Sequence, residues 1–265
     1  MHAFEYHRPG STKDALALAS KKTEGRYLAG GQSLVQAMKL RLSSPTDLID
    51  LGTIRELAGI KLSGNAVEIG AMTRHADVAA SSEIKKAIPS LAAMAELIGD
   101  RQVRHMGTIG GSLANSDPAA DYPAAVLALN ATLVTNKRKI EADKYFTGLY
   151  ETALEPGELI TSVSFQVPKR GAYMKFRNPA SRFALVGVYV ADFGGKVRVG
   201  VTGAGACAFR QAEMEKALSA KFAPDAVASI KVKPDGLNND LHASPEYRAH
   251  LITIMAKRAV EAAMK

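Results

Sequence analysis

Tryptophan is absent from these 265 residues, aromatic side chains make up 6%, and there is a single cysteine, Cys207. So few aromatic rings argue against the base-stacking platform of a single-strand nucleic-acid binder. One thiol cannot close an internal disulfide, build a zinc knuckle or ligate an iron–sulfur cluster. Cys207 reads as a small buried apolar residue rather than a nucleophile, and the lack of clustered thiols fits a reducing cytoplasm. Long apolar runs are missing too. The longest, about Phe183 to Ala191, is too short to span a bilayer. The opening Met1-His2-Ala3-Phe4-Glu5-Tyr6 lacks the basic and apolar regions of a signal peptide, so the expected location is the cytoplasm. His7, His75 and His105 are scattered and read as ordinary histidines, so no metal ligand is assigned.

Hydrophobic residues at 47% and charged residues at 23% are ordinary for a globular protein, and the length suggests two or three lobes. The formal charge is +8. Such a surface attracts nucleic acid, an anionic cofactor or an acidic partner. The longest basic run, Lys137-Arg138-Lys139, falls at an expected hairpin turn and reads as solvated, so no nucleic-acid partner is expected.

Ser11-Thr12-Lys13-Asp14 opens a helix to about Ser20. Tyr27-Leu28-Ala29 reads as a strand, Leu34 to Leu42 as a helix ending before Pro45, and Asp47 to Leu51 as a strand. Residues 1–55 thus form a small α/β lobe. A second lobe, 56–157, begins with a hairpin around Ser63-Gly64-Asn65. It continues with a helical stretch from Arg74 to Ile98, interrupted near Pro89, and a helix from Tyr122 to Leu129. Pro156-Gly157-Glu158 marks a break. The region 158–265 then reads as strands over Ile160–Val167, Ala172–Arg177, Ala184–Phe193 and Lys196–Val201, followed by helices ending in Tyr247–Met264.

Two glycine pairs carry the chemistry. Ala29-Gly30-Gly31-Gln32-Ser33 joins a strand to a helix, and Thr108-Ile109-Gly110-Gly111-Ser112 has the same small, hydroxyl-bearing character. Bare glycine backbones let amides approach an anion closely. Each turn alone is weak evidence, whereas the pair, about 80 residues apart in adjacent lobes, can face a diphosphate from two sides. Neither is followed by the Lys-Ser/Thr of a Walker loop. Gly203-Ala204-Gly205-Ala206-Cys207-Ala208 matches G-x-G-x-x-A after a strand. The parallel strand that should precede Asp225 is missing, so a Rossmann unit is not expected there.

Four segments occur in one order: Ala29 to Leu34, Arg104 to Ser112, Asp117-Pro118-Ala119-Ala120-Asp121-Tyr122-Pro123, and Tyr173-Met174-Lys175-Phe176-Arg177. With Ala243-Ser244-Pro245-Glu246-Tyr247-Arg248 near the C-terminus, the series resembles the FAD-binding medium subunits of molybdenum hydroxylases, and the resemblance covers essentially the whole chain. It implies an α+β protein: a two-lobed FAD-binding fold of the vanillyl-alcohol-oxidase type, then a domain of antiparallel sheet plus helices. It also implies one FAD on this chain, with the molybdenum–pterin centre on a large partner subunit and two-iron two-sulfur clusters on a small one. The expected assembly is a dimer of heterotrimers. The chain's role would be to take electrons from those clusters and pass them to an acceptor, with no catalytic residue of its own. The single cysteine agrees, since the clusters must lie elsewhere.

By position, the resemblance puts Leu28, Ala29, Gly30, Gly31, Gln32 and Ser33, with Thr108, Ile109, Gly110, Gly111 and Ser112, around the pyrophosphate and ribityl chain. Ser112 stands where many relatives carry Asn. Asp121 corresponds to a flavin-contacting aspartate, the plain alternative being a helix N-cap. Leu159 packs on the adenine or flavin side, or is core. Lys175 corresponds to a lysine beside the isoalloxazine, or is an exposed strand lysine. Phe183 lies near the ring, or in the core. Two other readings stand beside this one: a stand-alone FAD-dependent reductase or oxidase of the same fold, and a basic interaction module without flavin.

Overall fold

A computed structural model describes residues 1–22 and 24–265. The first lobe is a small three-stranded sheet in which every pair is parallel. Its elements are β1 (Glu5–His7), α1 (Thr12–Ala19), β2 (Gly25–Leu28), α2 (Leu34–Lys39) and β3 (Asp47–Asp50), with strand order β1-β3-β2. Ser11 caps α1, its side chain accepting from the Asp14 amide. Helix α2 stops at Lys39, earlier than expected. Arg41 turns left-handed (φ 61°), and the amides of Arg41 and Leu42 donate back to Met38 and Ala37, a Schellman closure. Ala15, Ile49, Leu51, Ile54 and Leu57 form this lobe's core, and Leu159 joins them from the second lobe.

The second lobe opens with the hairpin β4 (Ile60–Ser63) and β5 (Ala66–Gly70). The expected long helix is three: α3 (His75–Ala80), α4 (Ser82–Ala87) and α5 (Pro89–Glu96). Ser81 caps α4 and Pro89 starts α5, so the stretch breaks twice. Two more helices follow, α6 (Arg101–Met106) and α7 (Ile109–Asn115), and then α8 (Tyr122–Ala128). Every residue of α8 is buried, which makes it the central post of the molecule. Strands β6 (Thr132–Thr135), β7 (Lys139–Glu141), the small pair β8 (Phe146–Gly148) and β9 (Glu151–Thr152), and β10 (Ile160–Gln166) complete the lobe. Its antiparallel sheet has the order β4-β5-β10-β6-β7. Strand β10, expected to begin the C-terminal region at 158, is therefore the middle strand of this sheet. Pro156-Gly157 is a turn within the lobe. The Lys137–Lys139 run is indeed the β6–β7 turn, where Lys137 pairs with Glu155 and Arg138 with Glu158.

The C-terminal region is a meander of β11 (Arg170–Arg177), β12 (Ala184–Asp192), β13 (Val197–Thr202) and the short β14 (Phe209–Arg210), all antiparallel. Gly194 and Gly195, both with positive φ, close the β12–β13 hairpin. Helices α9 (Ala212–Ala220), α10 (Asp225–Ala228) and α11 (Pro245–Ala263) follow. Strand β12 is buried on both faces. Val186, Val188 and Val190 join the core beneath α11, whereas Tyr189 and Ala191 join the core around α8. The Gly203–Ala208 sequence only connects antiparallel β13 to β14, and Asp225 starts α10, so this segment forms no Rossmann crossover. Cys207 is half-buried rather than buried.

Candidate cofactor site

All three units border one cavity of about 840 Å³, within the range of small-molecule and cofactor sites. The first lobe supplies residues 29–34 with Arg26, Tyr27 and Leu51. The second supplies His75, residues 98–100, 107–108 and 110–112, Asp121, and Glu158 to Ile160. The C-terminal region supplies Lys175 and residues 180–183. Of the residues singled out by sequence, all but Leu28 and Ile109 line this cavity. Leu28 ends β2, its carbonyl accepting from Leu51, and Ile109 is fully buried framework.

The two glycine pairs turn out to differ in kind. The amides of Gly30, Gly31, Gln32, Ser33 and Leu34 have no protein acceptor among the described residues. Five consecutive amides without a described acceptor, on residues that line the cavity, are donors available for an anion cradle. The second pair is not a loop but the first turn of α7. Its amides are already engaged: Ile109 donates to Thr73, Gly110 to Ala71, Gly111 to the Thr108 hydroxyl and Ser112 to Thr108. Its own contribution to the cavity is therefore shape and hydroxyls.

The glycines also serve packing. A Cβ on Gly30 would lie 2.0 Å from the Met106 carbonyl oxygen, and one on Gly110 would lie 2.7 Å from the Ala71 carbonyl oxygen. Gly30 thus lets the first lobe close directly onto the chain that leads into α7.

At the end formed by α8 and β11, three polar side chains are tied together. Lys175 Nζ lies 2.9 Å from Asp121 Oδ2 and 3.3 Å from the Leu97 carbonyl, and the Tyr173 hydroxyl donates to Asp121 Oδ1 at 2.5 Å. The Lys175 side chain is 1% exposed, which disposes of the exposed-lysine alternative. Asp121 occupies the N-cap position of α8 but caps nothing, because its carboxylate is turned to Lys175 and Tyr173. Burial pushes the Asp121 carboxyl above the ordinary range, while Lys175, the Tyr173 hydroxyl and Arg177 pull it back down. Leu159 is both: it lines the cavity and belongs to the first lobe's core. Phe183 is 47% exposed at the cavity and is not core.

His75, read from sequence as ordinary, is a cavity residue. Its ring is buried, lies 5.3 Å from the Tyr122 ring, and leaves Nδ1 without a partner. Burial first, and the nearby Arg104 second, lower its pKa to about 4, so it is neutral at pH 7. Nothing in the spacing around His75 marks it, because the cavity forms between segments distant in the chain. Among the described residues no cluster of His, Cys, Asp or Glu is arranged to hold a metal. No helix there is long and apolar enough to cross a membrane.

The cavity and its amide cradle fit a dinucleotide cofactor, and comparison with known proteins names it. The family described as the FAD binding domain in molybdopterin dehydrogenase matches residues 2–169. The carbon monoxide dehydrogenase medium chain of Afipia carboxidovorans is 37% identical, over 98% of this chain and 96% of that one. The nicotine 6-hydroxylase medium subunit of Paenarthrobacter nicotinovorans is 34% identical, over 97% of this chain and 96% of that one. The crystal structure of quinoline 2-oxidoreductase from Pseudomonas putida 86 superposes with a TM-score of 0.91 at 27% identity, covering 99% of this chain and 97% of that one. The protein is thus an α+β member of that fold, and it belongs to the FAD-binding medium subunits of the molybdenum hydroxylases.

Proposed function

We propose that the cavity holds one FAD and that the chain is the electron-transfer subunit of a molybdenum hydroxylase. In this reading electrons arrive from two-iron two-sulfur clusters on a small subunit, after a large molybdenum–pterin subunit has oxidised the substrate, and leave to an external acceptor. The observation that carries the reading is the row of five acceptor-free amides, Gly30 to Leu34, on the wall of a cavity bordered by all three units. A bound flavin supplies the uptake and release of electrons one or two at a time.

The chain's own residues do the rest. The amides of Gly30 to Leu34 bind the diphosphate, and the hydroxyls of Thr108 and Ser112 reach the ribityl side. Leu51, Met72 and Leu159 offer an apolar bed for the adenine. Asp121 and Lys175 stand at the isoalloxazine end as a buried ion pair. Lys175 stabilises negative charge on the reduced ring, and Asp121 limits how much. Asp121 and Lys175 are tied to each other, so neither is free to act as an acid or base over the flavin, which argues against a stand-alone oxidase that would use this pair. The relatives above act on carbon monoxide, nicotine and quinoline by name. The substrate is accordingly a property of the molybdenum subunit. A dimer of heterotrimers in the cytoplasm completes the proposal.

Co-purification from the source cells tests it. The expected result is a complex with a large molybdenum chain and a small iron–sulfur chain, and with one FAD for each copy of this chain. A protein that stays colourless and cannot be reconstituted with FAD would refute the reading.

A further inference from the structure

We propose that Tyr173 and Gly187 are positioning residues that hold the Asp121–Lys175 pair in its working geometry, and so set the charge that this end of the cavity presents to the flavin. The inference rests on the FAD reading above. It begins with a row across the C-terminal sheet: Lys175 on β11 stands opposite Gly187 on β12, and Gly187 stands opposite Thr202 on β13. Tyr173 and Lys175, two residues apart, project from the same face of β11.

The middle of that row has no side chain. A Cβ on Gly187 would lie 2.2 Å from the Tyr173 hydroxyl oxygen and 2.9 Å from Thr202 Cγ2. Tyr173 therefore lies diagonally across the space above Gly187, and only there does its hydroxyl reach Asp121 Oδ1 at 2.5 Å. The far end of the row grips the chain that carries Asp121. Thr202 Oγ1 lies 2.9 Å from the Pro118 carbonyl and 2.6 Å from the Ala120 carbonyl, and the Gly203 amide donates to Pro118 at 2.7 Å. Bonds to its backbone carbonyls thus fix where the segment sits, and the Tyr173 phenol fixes how its carboxylate is turned.

The groups facing Asp121 are Lys175 and Arg177 on β11, the Tyr173 phenol, and the Tyr122 hydroxyl on α8. Burial favours the uncharged carboxyl, and the phenol is one of only two side-chain donors opposing it. Removing that O–H favours protonated Asp121. The Lys175 ammonium is then unopposed, and reduced, negatively charged flavin is held more tightly than oxidised flavin.

The test compares Tyr173→Phe, Gly187→Ala and a matched control, Tyr189→Phe, in the full chain reconstituted with FAD. Tyr189 is also buried on the same sheet, but its hydroxyl bonds Ser90 and not Asp121. The expected result at pH 7 is a positive shift in midpoint potential for Tyr173→Phe. The ratio of affinities for reduced and oxidised FAD should rise roughly tenfold, about 30 mV for a two-electron couple. Gly187→Ala should shift the same way, and the double variant no further, because both break one contact. Tyr189→Phe should lower thermal stability without moving the potential. An unchanged or negative shift in Tyr173→Phe overturns the inference, whether or not Gly187→Ala folds. If the wild-type chain binds no FAD, the cofactor reading fails instead. The positioning claim is then decided on the cofactor-free protein: the Asp121 carboxyl carbon should titrate at higher pH in Tyr173→Phe, and an unmoved titration overturns it.

Discussion

Gly30 shows at the scale of one residue how a site glycine is constrained. The sequence suggests that it keeps the backbone bare for an anion, yet the missing Cβ also faces Met106 and Gly107 of the protein itself. The clashing atoms are backbone, so neither partner can swing aside. Gly30→Ala should therefore cost about 1–3 kcal/mol in cofactor-free unfolding and weaken FAD binding as well. Gly10→Ala, where an added Cβ meets nothing within 4 Å, should stay within about 0.5 kcal/mol. Equal stability of the two variants would contradict this account. His75 makes a second case. Its folded pKa of about 4 lies below the ordinary 6.5, chiefly through burial. Between those values the unfolded chain binds more protons, so the stability His75 contributes is complete above pH 6.5 and is lost as pH falls toward 4. His75→Phe, which cannot titrate, should flatten that part of the stability–pH curve, as read by chemical denaturation at several pH values.

At the scale of elements, the β6–β7 hairpin and the start of β10 form one charged clamp at the cavity's edge. The Glu158 side chain is fully buried, and it accepts from Arg138, the Thr135 hydroxyl and the Glu155 amide. Burial alone would raise its pKa, but these donors hold it at about 2, below the ordinary 4.5. The stability from this clamp is thus present above pH 4.5 and is lost as pH falls through about 2. Glu158→Gln keeps the shape and loses the charge. It should lower the unfolding temperature at pH 7 and remove part of the acid sensitivity, while Glu155→Gln, on a half-exposed side chain, should do little. The contrast also marks where sequence reasoning stops. Strand patterns, the Gly194-Gly195 turn and the Ser11 cap are local, and they could be read directly. The membership of β10 in the second sheet rests on pairings with strands some thirty and some ninety residues away, Val163 with Leu133 and with Ile69, and no local signal carries them. Gly110 and Gly111 look like Gly30 and Gly31 in sequence. They differ because the Ala71 carbonyl and the Thr108 hydroxyl take up the amides of that pair, whereas among the described residues nothing takes up those of Gly30 and Gly31.

The whole molecule divides unevenly. The second lobe and the C-terminal sheet share a single core, in which Tyr173, Tyr189, Ala191 and Ala208 pack with α8 and β10. Buried Arg198 adds a link, bonding the Leu127 carbonyl and Asp143 across the junction. The first lobe has only its own small core, reached from outside by Leu159. It nonetheless supplies the acceptor-free amides of Gly30 to Leu34, while the Asp121–Lys175 pair belongs to the shared core. A dinucleotide lying across the cavity therefore bonds the least anchored unit to the best anchored one, and its binding energy becomes stability of the first lobe. Hydrogen exchange should show this directly. Without FAD, amides of β1, β2 and β3 should exchange faster than those of β12 and β13. Saturating FAD should slow the first group at least tenfold and leave the second nearly unchanged. Protection of the first lobe that is the same with and without FAD would mean that the cofactor does not bridge the units. The phosphate cradle would then have to be sought elsewhere than at Gly30 to Leu34.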